Sequence, residues 1–208
     1  MKNNTRGFTL IELIVAIGLF SILVAIAAGG FTNALRTQRE VAGLIAAQSN
    51  AGLAIEQMAR EARTGDEFCH TPTLPNTEPT TPGQVTCSCK FALVGSGPDS
   101  LWTCSDLDFD NADGEEVNYS LANGALMRTA ADENGGAAQA LTGNNVTLKY
   151  LTFTLFGNLE GDQWNPRITI TMGVSPSSTD PAIASNVLSI QTTVSAREID
   201  CGPPGVGC

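Results

Sequence analysis

Residues 1–30 read MKNNTRGFTLIELIVAIGLFSILVAIAAGG, and from Phe8 to Phe31 the only ionisable side chain is Glu12. About 20 consecutive apolar residues are enough for a helix to cross the hydrocarbon of a bilayer. Lys2 and Arg6 precede the run. Basic flanks stay in the cytoplasm, so this arrangement sends the rest of the chain out. A carboxylate inside such a run costs a few kcal/mol on insertion scales, and it normally has a partner or a task. The plain account of Glu12 is snorkelling toward the headgroups, which its place about one turn from Phe8 permits.

Three readings compete for this stretch. A secretory signal peptide fits the basic start and the small-residue site Ala25-Ile26-Ala27; the run is long for it, and the acid is unwelcome. A simple membrane anchor fits the length and leaves Glu12 unexplained. The third reading covers every residue. Arg6-Gly7-Phe8-Thr9-Leu10-Ile11-Glu12 and the apolar block after it resemble the type IV prepilin signal. That resemblance implies cleavage by a prepilin peptidase between Gly7 and Phe8, then methylation of the new amine at Phe8. It also implies a role for Glu12 in subunit assembly, where its carboxylate meets the Phe8 amine of a neighbouring subunit. An unpaired charge is expensive in lipid, so such a pair selects the axial register of stacked subunits. The implied partners are the peptidase, other pilin or pseudopilin subunits, an inner-membrane assembly platform and the lipid bilayer. The implied location is the inner membrane, crossed once with the C-terminal domain outside the cytoplasm, and then a pilus or pseudopilus.

Proline is absent from Met1 to Arg63. After Phe31 the composition turns polar, and apolar or small residues recur at Val41, Leu44, Ala51, Ile55, Met58 and Ala62, with Gln48 interrupting. That spacing predicts an amphipathic continuation of the helix, with Arg39, Glu40, Gln57, Arg60 and Glu61 off the apolar stripe. Gly65 reads as the stop. A continuous helix from Phe8 to Arg63 would span about 84 Å. Gly29-Gly30 is the expected place for it to bend or melt in a packed filament. The stripe is expected to pack under the protein's own sheet. The organisation that follows is a leader at 1–7, a transmembrane or filament-core helix at 8–31, its amphipathic continuation at 32–65, and a disulfide-containing β-rich globular domain at 66–208.

Removing the positive charges of Lys2 and Arg6 takes the formal net charge of the chain from −10 to −12. Such an acidic domain lacks the basic stripe that phosphate binding needs, so no direct nucleic-acid partner is expected. Solubility is the plain role of the acidity. The six cysteines are Cys69, Cys87, Cys89, Cys104, Cys201 and Cys208, and none makes a C-x-x-C pair. With one histidine, His70, a mixed zinc site is poorly supplied, and an exported domain favours disulfides. Sequence leaves the connectivity open. Cys201 with Cys208 closes the Gly/Pro-rich tail, and Cys69, Cys87, Cys89 and Cys104 remain to staple the middle. The Pro/Thr/Asn-rich loop from Asp66 to about Val85 is one Cys69 and Cys87 would pin.

Strand signals fill the C-terminal part. They are Phe91–Val94, the alternation Val117, Tyr119, Leu121, a turn at Asn123-Gly124, and the return Ala125–Arg128. In the long segment Asn145–Phe156 the alternation slips between Tyr150 and Leu151, which marks a bulge. Arg167–Val174 and Leu188–Arg197 follow, with Pro176 and Pro181 bracketing the loop between them. One long helix and then antiparallel strands predict an α+β, pilin-like architecture, with the sheet over the helix's second half. The segments around Val117–Arg128, the later long strand and the last strand ending at Arg197 are loosely similar to J-type minor pseudopilins of type II secretion systems and to W-type minor pilins. This likeness covers about half of the globular part, and the cysteine-rich loop and tail depart from it.

Asp106–Glu116 is dense in hard oxygen ligands of the sort calcium takes. Asp106, Asp108, Asp110 and Asp113 are the candidates, although Asn111 stands where a calcium loop of the EF-hand kind needs glycine. A solvated acidic turn without a metal is the expectation. No catalytic residues are identified: no phosphate-binding loop, nucleophile elbow or zinc-protease motif occurs, and His70 beside Cys69 does not make a catalytic pair. The function expected is a minor pilin or pseudopilin that initiates or modulates filament assembly. The alternative is an exported or anchored module binding calcium, a surface or DNA, with the N-terminus serving only as an address.

Overall fold

The computed structural model describes residues 7–69, 87–92, 101–131, 133, 135–157, 164–178 and 181–197. Lys2, Arg6, His70, the expected Pro/Thr-rich loop 71–83, Val94 and the Cys201 and Cys208 tail lie outside them. The chain forms two compact units, Met1–Ala42 and Gly43–Cys208, and helix α1 (Leu10–Thr64) runs without a break through the boundary.

In the first unit α1 is exposed, apart from the half-buried Glu40. Phe8, Leu10, Ile11, Phe20, Leu23 and Ile26 are each more than 60% exposed. Gly29 and Gly30 are helical in the single chain; the bend expected at this pair belongs to a packed filament.

In the second unit α1 buries Ala47, Ala51, Ala54, Ile55, Met58 and Ala62. Ile55, Met58, Ala51 and Ala62 keep the places the sequence stripe gave them, whereas Val41 is exposed and Leu44 half-buried. Alanines 47 and 54 fill the stripe instead. Small side chains let a helix approach a sheet closely, and hydropathy counts undervalue them. The helix ends at Thr64, with the Gly65 N–H bonded to the Glu61 carbonyl at 3.0 Å. A Cβ on Gly65 would stand 2.7 Å from the carbonyl oxygen of Asp110 and against the ring of Phe109. Glycine is needed there for close approach.

Two antiparallel sheets follow, where sequence analysis placed one. Strands β1 (Cys89–Ala92), β2 (Leu101–Cys104), β7 (Val146–Phe156), β8 (Arg167–Pro176) and β9 (Leu188–Ser195) form the larger sheet in the order β1-β2-β7-β8-β9. Strands β3 (Asp106–Asp110), β4 (Glu116–Ala122), β5 (Ala125–Ala130) and β6 (Gln139–Ala140) form the smaller one in chain order. A short helix α2 (Pro181–Ala184) precedes β9. The strand missed in the acidic stretch is β3, where Leu107 and Phe109 are fully buried between alternate aspartates. A period-2 apolar alternation is present in Asp106-Leu107-Asp108-Phe109-Asp110, but three acids in five residues hid it, and Asp108 is buried with its neighbours.

The hairpin turn falls where Asn123-Gly124 predicts it. Both residues have positive φ, 53° and 73°, between the paired Ala122 and Ala125. That is the two-residue turn whose twist matches the flanking strands. The bulge in β7 lies just before the expected slip between Tyr150 and Leu151: the register shifts between Leu148 and Tyr150, which pairs with Gly173 of β8. The Tyr150 ring lies over Gly173, so that a Cβ there would collide with it, and the Tyr150 hydroxyl donates to Ser189 Oγ at 2.7 Å. Inner faces of both sheets and the buried face of α1 share one core, including Phe68, Phe109, Tyr119, Phe153, Ile168, Ile170 and Met172. Ring centroids of Phe68, Phe109 and Tyr119 stack at 5.1 and 6.2 Å.

Candidate functional site

Gly7 and Phe8 precede the helix, and Phe8 is 86% exposed. Thr9 caps it. The Glu12 N–H reaches Thr9 Oγ1 at 3.4 Å, while Glu12 Oε2 turns back to accept from the N–H and the hydroxyl of Thr9, also at 3.4 Å. These long bonds outline a capping box, in which the first and fourth residues satisfy each other's end-of-helix donors. The cap, not among the features expected of this stretch, has a local signal: Thr9-Leu10-Ile11-Glu12 is the T-x-x-E signature. The geometry holds the only carboxylate of the apolar run at the end of the helix where the dipole favours negative charge. It also points that carboxylate toward the residue next to Phe8. Cleavage after Gly7 would create a cationic amine at Phe8, one residue before the cap.

Among the described residues α1 is the one helix long and apolar enough to cross a membrane, and none of its most apolar window is buried. A helix apolar on all sides must sit in lipid or among other such helices.

The other expected sites lie in the second unit. Disulfides join Cys69 to Cys87 and Cys89 to Cys104, with Cα separations of 5.2 and 3.9 Å. Asp106, Asp108 and Asp110 are on β3, and Asp113 is in the turn before β4. Two of the carboxylates are engaged locally: Asp106 Oδ1 accepts from the Ser88 N–H at 2.9 Å, and Asp108 Oδ1 accepts from Asn118 Nδ2 at 2.6 Å. Burial pushes the Asp108 carboxyl up to about 7; the Asn118 bond opposes this and the charges of Asp106 and Glu116 add to it. Burial, and then the nearby Asp110, also raises Asp66. Asn111 organises the turn, its Oδ1 accepting from the N–H groups of Asp113 and Glu115 at 3.0 Å. Among the described residues, the one group of metal-ligating side chains close enough to share an ion is Cys69, Cys87 and Cys89.

Glu61, read from sequence as part of the polar face, instead ties α1 to the smaller sheet. Its carboxylate accepts from Arg128 Nη2 at 2.7 Å, from Arg128 Nε at 3.1 Å, and from the Tyr119 hydroxyl. Arg128 also meets Glu133 at 2.6 Å. Its bond to Glu61 holds the guanidinium in the charged form against the effect of burial. Burial, reinforced by Glu61, raises the Tyr119 phenol, which stays a donor. No local sequence signal marks this network, because Tyr119 and Arg128 lie 58 and 67 residues from Glu61.

Residues 2–28 match the family described as the prokaryotic N-terminal methylation motif. No curated protein and no solved structure matches the chain. The chain carries a prepilin-type signal, which with the α+β fold supports the type IV pilin-like or pseudopilin class and a structural subunit. The signal and the apolar helix together support membrane anchoring.

Proposed function

We propose that the chain is a minor pilin or pseudopilin, cut after Gly7 by a prepilin peptidase and methylated at Phe8, that initiates or modulates assembly of a type IV pilus or type II secretion pseudopilus. The observation that carries this reading is the methylation motif at 2–28 leading directly into a 55-residue helix whose N-terminal side chains are exposed and apolar. Such a helix leaves lipid only for a bundle of similar helices. In the bundle the Glu12 carboxylate exchanges its long contacts to Thr9 for the Phe8 amine of the next subunit. The assembly platform of the inner membrane extracts the subunit, and the folded unit from Gly43 onward faces the far side of the membrane.

Co-expression with a prepilin peptidase, followed by N-terminal mass measurement, tests the processing step. A chain beginning at N-methyl-Phe8 is expected; one beginning at Ala28 would mean that the segment is only an address. Glu12→Ala is expected to leave cleavage intact and to lower incorporation into filaments. Normal incorporation of that variant would remove the charge-pairing argument.

A further inference from the structure

The outer face of the larger sheet carries a lane of hydroxyls. Strand pairing sets Thr154, Thr169 and Thr193 in one row across β7, β8 and β9, and Thr152, Thr171 and Gln191 in the next. Successive residues of a strand point to opposite faces. Phe153 and Ile170, between these threonines, are fully buried in the core, so the six side chains point away from it. They are half-buried or exposed. They offer five hydroxyls and one amide and no charge, in a chain with 21 acidic residues. The Thr169 and Thr193 hydroxyls meet at 2.9 Å, and each keeps a further donor or acceptor position for a ligand.

Aromatic rings close the lane at both ends. Tyr150 and Gly173 pair in the row beyond Thr152, and Phe156 and Arg167 pair in the row beyond Thr154. Along β7 the two aromatic positions stand about 20 Å apart. The Tyr150 ring crosses β8 over Gly173, where any side chain would collide with it, and its hydroxyl is bonded to Ser189 of β9. The ring therefore lies flat on the sheet with one face down, and the residue is 38% exposed. At the other end Trp164 meets Phe156 in a T-shaped contact at 5.7 Å and is 47% exposed. The Arg167 guanidinium lies over the Phe156 ring. Aromatic side chains pinned in this way give a rigid contact area at little cost in conformational entropy.

We infer that this face binds a neutral, extended polysaccharide of equatorially linked pyranose rings, the class of cellulose and chitin, laid along β7 from Tyr150 to Trp164. Each ring of such a polymer shows C–H bonds on its two faces and polar groups on its rim. The slightly positive C–H hydrogens suit the negative face of an aromatic ring. The rim groups bond to the threonines and Gln191 in between, and a neutral polymer meets a lane that buries no ion. An apolar segment would cover the same hydroxyls and leave them unpaired, which is costly. A coiled, axially linked glucan would not keep both aromatic ends in contact over a straight strand. The inference concerns the folded unit from Gly43 onward and does not rest on how the chain is processed or assembled.

The test uses the full chain in micelles of a zwitterionic detergent, which has no sugar headgroup to compete. The chain is mixed with cellulose powder, chitin powder or granular starch, and the bound fraction is sedimented. Saturable retention on cellulose or chitin is expected, with release by the matching soluble oligosaccharide and no retention on starch. Trp164→Ala should weaken retention by about tenfold or more, and Thr171→Arg, which blocks the lane, should abolish it. Tyr150→Phe keeps the ring and should bind close to the parent, as should Glu56→Gln on the far side of α1. No retention on either polymer overturns the inference, and so does unchanged retention of Trp164→Ala. Light scattering is run on the same samples. If Trp164→Ala and Thr171→Arg change only association between chains, the face is a subunit contact and the inference fails. Trp164 is exposed, so its variant decides the matter even if Thr171→Arg fails to fold.

Discussion

Replacing Arg128 by Met keeps most of the side-chain stem and removes the guanidinium that joins α1 to the smaller sheet. The Arg128 side chain is 9% exposed and that of its partner Glu61 is 23% exposed. After the change, Glu61 retains the Tyr119 hydroxyl, but its charge is no longer matched. Breaking a buried pair by removing one partner costs about 3–5 kcal/mol. The residual exposure of Glu61 lowers this, and the Glu133 contact adds little because that side chain is 52% exposed. The expected loss is about 2–4 kcal/mol. Urea unfolding of the full chain in micelles, followed by the fluorescence of Trp102 and Trp164, reads this as a fall in midpoint of about 1–2 M. The double variant Arg128→Met/Glu61→Leu removes both charges and should recover a good part of the loss, giving a coupling of about 1–3 kcal/mol. The reasoning fails if Arg128→Met shifts stability by less than about 0.5 kcal/mol, the level of ordinary surface substitutions. It fails equally if the double variant costs the sum of the two single ones.

Other outcomes follow from the packing. The raised Asp108 pKa, about 7 against an ordinary 3.8, means that the folded state holds a proton the unfolded chain has released. Stability of the disulfide-bonded chain should therefore fall as pH rises from about 4 to about 7 and then level, by at most about 4 kcal/mol; Asp108→Asn should flatten that slope in urea titrations run across this range. Gly173→Ala forces a methyl into the Tyr150 ring and should destabilise by about 1–3 kcal/mol in thermal unfolding, with much less effect in a Tyr150→Ala background. Gly124→Ala meets both a φ of 73° and Thr147 Cγ2 at 3.0 Å. It should cost about 1 kcal/mol or more, while equal stability would show that the hairpin turn adopts another form.

Much of the candidate site was legible because it is local. Gly7, Phe8 and Glu12 belong to one short motif, and the same T-x-x-E spacing contains the cap that was overlooked. The Asn123-Gly124 turn and the β7 bulge were readable for the same reason: a two-residue positive-φ turn and a slip in period-2 alternation are properties of neighbouring residues. The acidic strand β3 was not, because its charged residues outweighed the two buried apolar ones between them. Glu61 was misjudged for a different reason. A glutamate on a helix reads as solvated until its partners are known, and they come from strands far along the chain.

By itself, the sequence determined the apolar helix, its single acid, the processing signal and the order of most strands, since each depends on side chains a few residues apart. Only the tertiary structure decided that the strands divide into two sheets, that alanines line the helix contact, that Glu61 and Arg128 meet, and that Cys69 pairs with Cys87 and Cys89 with Cys104. Those outcomes rest on burial and on encounters between distant segments, which a short-range pattern of hydropathy and charge does not encode.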